Sequence, residues 1–179
     1  MKQGKNIILG VAASIAIYKA CDIVRQLQEE GCNVTVVMTE EAEELIRPVV
    51  FQSLSGNKVY RGLFEDPEAW DTKHISLAEK ADLVLVAPAT ANIIGKIAGG
   101  ICDDLLTCVI TATQAPVLIA PAMNTNMYNN KIVQDNIKKL KATGYRFVGP
   151  QEGRLACGKN GMGCLAGVET IIKDVKKYL

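Results

Sequence analysis

Short apolar runs alternate with stretches of helical period along this chain. Lys5-Asn6-Ile7-Ile8-Leu9-Gly10-Val11 reads as a buried strand. From Ser14 to Glu29 the residues Ile15, Ile17, Ala20, Ile23, Val24 and Leu27 recur at helical spacing. Ser14 suits the N-cap of that helix and Gly31 its C-terminal stop. The pattern then predicts a strand over Asn33 to Met38, a short helix over Glu40 to Ile46 and a loop over Arg61 to Thr72. A strand over Leu83 to Ala87 leads to a helix from about Ala91. Asp103 and Asp104 favour the start of a further helix through Thr111, because acidic groups suit that end of the dipole. Val117 to Ala120 reads as a strand, Lys131 to Thr143 as a helix and Tyr145 to Val148 as a last short strand. The Gly-rich stretch Gly149 to Gly167 reads as a flexible loop, and Val168 to Tyr178 as an amphipathic helix.

Strands without alternating polarity, each followed by a helix, imply a mostly parallel sheet covered on both faces. The expected fold class is α/β: a Rossmann-like or flavodoxin-like, doubly wound, three-layer α/β/α arrangement forming a single domain over residues 1–179. In such folds ligands bind at the carboxyl ends of the strands. Two strand ends here share one wording. Val86-Ala87-Pro88-Ala89-Thr90-Ala91-Asn92 resembles Ile119-Ala120-Pro121-Ala122-Met123-Asn124. Small residues let a ligand approach the backbone, and Pro is expected to stop each strand. The first strand ends on the same edge, at Gly10-Val11-Ala12-Ala13-Ser14, and Thr39 closes the second. The backbone N–H groups there, with the Ser14 and Thr90 hydroxyls, suit a phosphate. Met123 and Met127 add a soft wall, and Asn124 and Asn126 add polar edges, as a flat aromatic ligand requires. A GxGxxG turn is absent, which ranks a nicotinamide fingerprint low.

Two residues suit reaction chemistry. His74 is the sole His and stands where the long loop gives way to a helix, so any imidazole base must be this one. Cys157 lies in Gly153-Arg154-Leu155-Ala156-Cys157-Gly158-Lys159, between cations that favour thiolate. The surrounding glycines suggest a lid, and Arg154 suits a phosphate or carboxylate.

Composition narrows the field. With 179 residues, 49% of them hydrophobic and 22% charged, the chain fits one globular domain. Its net charge of +1 indicates neither a nucleic-acid partner nor an anionic membrane. No signal peptide or bilayer-length apolar run is visible, and the 6 Cys lack a CxxC pair. The expectation is a cytoplasmic protein with reduced thiols and no zinc.

The motifs together resemble the homo-oligomeric flavin-containing cysteine decarboxylase family, above all its members that act on phosphopantothenoylcysteine. The marks are Ala13-Ser14-Ile15-Ala16-Ile17-Tyr18-Lys19, Lys73-His74-Ile75, the run from Ala87 to Asn92, Pro121-Ala122-Met123-Asn124 with Met127, and Leu155-Ala156-Cys157-Gly158. The resemblance spans essentially the whole chain. It implies FMN as cofactor, held by Gly10, Ser14, Thr39, Pro88, Ala89, Thr90, Ala91, Asn92 and Ala122. It implies His74 as base, Asn124 as the residue orienting the substrate carboxylate, Cys157 as proton donor, and Arg154, Leu155 and Ala156 as a substrate clamp. The implied reaction converts 4'-phosphopantothenoylcysteine to 4'-phosphopantetheine in coenzyme A biosynthesis. It runs through oxidation of the thiol to a thioaldehyde, loss of CO2 and re-reduction of the enethiol. Ala13 stands where Gly is frequent and Tyr128 where Trp is frequent, neither of which removes a reacting group. The implied assembly is a trimer, or a dodecamer of trimers, with active-site parts shared across subunits. Fusion to, or work alongside, phosphopantothenate–cysteine ligase is also implied. The rival readings are a peptidyl-cysteine decarboxylase, a flavin prenyltransferase and a non-catalytic FMN-binding regulatory subunit.

Overall fold

A computed structural model describes residues 4–64 and 72–179. Trp70 and Asp71, within the expected loop, lie outside the described residues. Five parallel strands form the central sheet: β1 (Asn6–Val11), β2 (Asn33–Met38), β3 (Leu83–Ala89), β4 (Val117–Pro121) and β5 (Arg146–Phe147). Their order is β2-β1-β3-β4-β5, so the winding reverses between β1 and β3. That is the flavodoxin-like order, and its switch point is where ligands bind. β1, β3 and β4 are almost wholly buried, which is why they read as unbroken apolar runs.

Helices cover both faces. α1 (Tyr18–Glu29), α3 (Pro48–Ser55) and α9 (Val168–Val175) bury Ile23, Leu27, Phe51 and Ile171 on one side. α4 (Lys73–Lys80), α5 (Ala91–Gly99), α6 (Leu105–Ala112) and α8 (Lys131–Ala142) bury Leu77, Ile93, Leu105, Leu106 and Ile137 on the other. Each such side chain contributes about 1.5–3 kcal/mol by leaving water. α2 (Glu40–Glu43) and α7 (Thr125–Tyr128) are single turns at strand ends.

Local chemistry sets these boundaries. Ser14 caps a 3-10 turn, Ile15–Ile17, that precedes α1, its Oγ accepting from the Ala16 N–H. Asp104 caps α6, accepting from the Thr107 N–H at 2.8 Å, while Thr107 reciprocates with the Asp104 N–H. Lys96 bridges Asp103 at 2.8 Å and Asp104 at 2.9 Å, tying α5 to the start of α6. The hydrogen bond to Asp103, joined by Asp104, holds the Lys96 ammonium well above the ordinary lysine range. At the other edge, the Asn6 N–H and the Lys5 ammonium hold the Asp82 carboxyl below the ordinary range.

The structure differs from the sequence-based expectations in places. Pro88 does not stop β3: the strand runs on to Ala89, with its register against β4 shifting between Val86 and Ala89. The paired neighbours accommodate this because Ala122 N–H still reaches the Ala89 carbonyl at 2.9 Å. The stretch from Gly149 is not an irregular loop. It holds an antiparallel hairpin of β6 (Gln151–Arg154) and β7 (Asn160–Cys164). α3, over a stretch the pattern left unassigned, begins at Pro48, whose fixed φ suits a first helical turn, and carries Phe51 into the core. The outer ends of α2, β5 and α9 fall short of the expected ranges.

Candidate active site

The carboxyl ends of β1, β3 and β4 meet at a hollow of about 590 Å³. β1 delivers Ala13 and Ser14, β3 delivers Thr90, and β4 delivers Ala122, Met123 and Asn124. The start of α1 adds Tyr18 and Lys19. The β6–β7 hairpin covers the opening with Arg154, Leu155, Ala156, Cys157, Gly163, Cys164 and Leu165.

Backbone bonds stitch these ends together. Ala12 N–H donates to the Pro88 carbonyl at 3.3 Å and Thr39 N–H to the Val11 carbonyl at 3.0 Å. Met123 N–H donates to the Gly163 carbonyl at 2.9 Å, which seats the hairpin on the turn after β4. The seat is tight. A Cβ on Gly163, at φ +143°, would stand 2.2 Å from the Met123 carbonyl oxygen. One on Gly161 would stand 2.4 Å from Thr125 Oγ1. Only glycine permits this approach.

That seat brings Asn124 and Cys157 together. Asn124 Oδ1 accepts from the Asn126 N–H at 2.8 Å, fixing the amide. Its Nδ2 then donates to Cys157 Sγ at 3.7 Å. Cys157 is exposed at the hairpin tip, where Leu155 N–H bonds the Lys159 carbonyl and Gly158 N–H bonds the Leu155 carbonyl. An amide and a thiol facing each other over a mostly apolar hollow can orient a carboxylate and move one proton.

The remaining expected residues fall into two groups. Gly10, Thr39, Pro88, Ala89, Ala91 and Asn92 stand at or beside the same strand ends but do not line the hollow. Gly10 lies against α6, where a Cβ would meet Leu106 Cδ1 at 2.5 Å. Thr39 is buried and its Oγ1 makes no hydrogen bond with a described residue. His74 stands apart, half-buried in the first turn of α4, which packs on α6. One chain does not bring His74 into the hollow with Cys157. Tyr18, Lys19, Cys164 and Leu165 line the hollow without having been assigned a role from sequence. Lys19 left no signal in the sequence: it lies off the buried stripe of α1 formed by Ala20, Ile23, Val24 and Leu27, where a lysine reads as solvated surface. Among the described residues no cluster of His, Cys, Asp and Glu suits a metal ion. None of their helices is long and apolar enough to cross a membrane.

The flavoprotein family model matches residues 1–179. The chain belongs to the flavoprotein family. It is 47% identical over 178 residues to the coenzyme A biosynthesis bifunctional protein of Bacillus subtilis, covering 99% of this chain and 44% of that protein. The chain therefore spans less than half the length of that relative. It is also 44% identical over 177 residues to a probable phosphopantothenoylcysteine decarboxylase of Streptococcus mutans, covering 98% of this chain and 99% of that one. Among solved structures it resembles a cysteine-to-serine mutant of a PPC decarboxylase complexed with pantothenoylaminoethenethiol. The TM-score is 0.87 and the identity 30%, over 98% of both chains. A second, an FMN-dependent cysteine decarboxylase, gives a TM-score of 0.85 at 28% identity over 98% of both chains.

Proposed function

We propose that this chain catalyses the FMN-dependent decarboxylation of 4'-phosphopantothenoylcysteine to 4'-phosphopantetheine. The observation that carries the reading is the Asn124–Cys157 pair at 3.7 Å over the hollow. A full-length relative with the matching decarboxylase name supports it.

The residues fit a flavin mononucleotide. Ala13, Ala122 and Met123 offer a small, apolar wall, and among the described residues no Asp or Glu lines the hollow. Thr39 Oγ1, buried without a partner at the strand edge, has a hydrogen bond left to give. Ser14, Thr39, Thr90 and Ala122 would hold the cofactor, with Gly10, Pro88, Ala89, Ala91 and Asn92 shaping the strand ends around it. FMN supplies there the two-electron acceptor and donor that an unactivated carboxylate-bearing carbon requires.

The chain's own groups do the rest. Asn124 Nδ2 orients the substrate carboxylate. Arg154, Leu155 and Ala156 close over the substrate and keep water from the reacting carbon. Cys157 holds a proton at Sγ and gives it to the carbon that has lost CO2. His74 accepts the proton of the substrate thiol. Its place outside the hollow fits a shared site, in which a second copy presents His74. Ile75 beside it and Ile101 ahead of α6 are exposed apolar residues on adjoining elements, as a subunit contact requires. The assembly in this reading is a trimer or a dodecamer of trimers. Its setting is the cytoplasm, with the ligase that joins cysteine to phosphopantothenate supplying the substrate.

The test is direct. Purified protein should be yellow and should release CO2 from 4'-phosphopantothenoylcysteine. Cys157→Ser should keep FMN and substrate binding while turnover drops at least ~100-fold, the usual scale for a lost proton donor. Normal turnover by that variant would remove Cys157 from the mechanism.

A further inference from the structure

Among the described residues, the charged ones lining the hollow are Lys19 and Arg154, with no carboxylate beside them. Neither cation makes an ion pair with a described residue. What marks these two cations is their place: both line a mostly apolar hollow with no described carboxylate beside them, which suits anionic ligand groups. Arg154 is explained by its place in the hairpin, three residues from Cys157, beside the reaction centre. Lys19 is not. It sits at the start of α1, on a wall built by a different element. It is partly buried and lies outside the stripe that packs α1 on the sheet, so core packing does not place it there.

We propose that Lys19 is a specificity-determining residue that binds the 4'-phosphate of the substrate. The inference rests on the decarboxylase reading above and extends it to substrate choice. A peptide ending in cysteine brings one carboxylate to the reacting end. The phosphorylated substrate brings that carboxylate and, at the far end of a flexible chain, a phosphate monoester. With the carboxylate at Asn124, an unpaired cation on a separate wall matches the second, distant anion. Lysine is a compact point charge that binds phosphate without fixed geometry, which suits the mobile end of a long substrate. The flavin's own phosphate monoester is the other source of the same chemistry. The hydroxyls of Ser14 and Thr90, with the backbone N–H groups at those strand ends, suit that phosphate, and Lys19 is assigned to the substrate's.

The experiment compares FMN-loaded wild type, Lys19→Gln and Lys19→Arg on 4'-phosphopantothenoylcysteine and on its unphosphorylated form. Wild type should prefer the phosphorylated substrate in kcat/KM. Lys19→Gln should cut that preference roughly ten- to hundred-fold, mainly through KM, the loss expected for one charge-assisted contact. Lys19→Arg should restore most of it. Lys138→Gln, which removes an exposed charge far from the hollow lining, should leave the preference intact. Equal losses on both substrates, or loss of FMN from Lys19→Gln in step with activity, would overturn the proposal. Binding separates this result from failure of the decarboxylase reading. Calorimetry with 4'-phosphopantothenate and pantothenate needs no turnover. If wild type releases no CO2 from either substrate, the reaction is wrong. Lys19 then stands only if the phosphorylated ligand binds more tightly to wild type and loses that advantage in Lys19→Gln.

Discussion

Thr39 and Thr125 carry the buried side-chain oxygens that make no hydrogen bond among the described residues. An unsatisfied buried hydroxyl costs about 1–3 kcal/mol, so each needs a reason. For Thr39 the reason offered is FMN, and it yields a paired prediction. Thr39→Val keeps the shape and removes the orphaned hydroxyl. The cofactor-free protein should gain about 2–4 °C in Tm per kcal/mol recovered, measured by calorimetry. Affinity for FMN should fall roughly ten-fold by fluorescence titration, the cost of one hydrogen bond. A variant that binds FMN as well as wild type would detach Thr39 from the cofactor. Position by position, the sequence was most legible where chemistry is scarce. His74 and Cys157 stood out through being a sole imidazole and a thiol among cations. Lys19 carried no such mark, because a lysine in an amphipathic helix looks like solvated surface until the fold shows which way its neighbours pack.

Among elements, the strands were the clearest because β1, β3 and β4 are buried on both faces and, past Asn6, leave no polar position to blur them. The β6–β7 hairpin was hidden for the opposite reason. Its residues are mostly exposed and glycine-rich, so no apolar alternation betrays a strand pair. What forms it is a tertiary seat, the Met123–Gly163 hydrogen bond and the glycine approaches, and that depends on residues some forty positions away. The seat predicts a contrast between two glycines of the hairpin. Gly163→Ala sets a Cβ against the Met123 carbonyl and must push the hairpin off the turn. Turnover should fall at least ~10-fold from a misplacement of about 1 Å, with FMN retained, because Cys157 leaves Asn124. Gly158→Ala, also at positive φ, meets nothing within 4 Å and should cost only about 1 kcal/mol of local strain. Its activity should stay near wild type. Equal losses in the two variants would mean that chain conformation, not the seat, positions Cys157.

At the scale of the whole molecule, the chain separates the two groups proposed as acid and base. Asn124 and Cys157 meet over the hollow, while His74 sits on α4 against α6. No spacing in the sequence distinguishes residues that meet within one chain from residues that meet between copies, so this division became visible only in the fold. If each site combines Cys157 of one copy with His74 of the next, two dead variants should rescue each other. His74→Ala and Cys157→Ser would each be nearly inactive alone. Unfolded together at equal amounts and reassembled with FMN, they form rings in which a site draws its thiol from one chain and its imidazole from the neighbour. Half of the chains carry each native group, so about a quarter of the sites become complete in a cyclic assembly. CO2 release from 4'-phosphopantothenoylcysteine should recover to that fraction of wild type, and size-exclusion chromatography should place it with the oligomer. If His74 served its own chain, every site would lack one group at any mixing ratio and the mixture would stay as inactive as its parents.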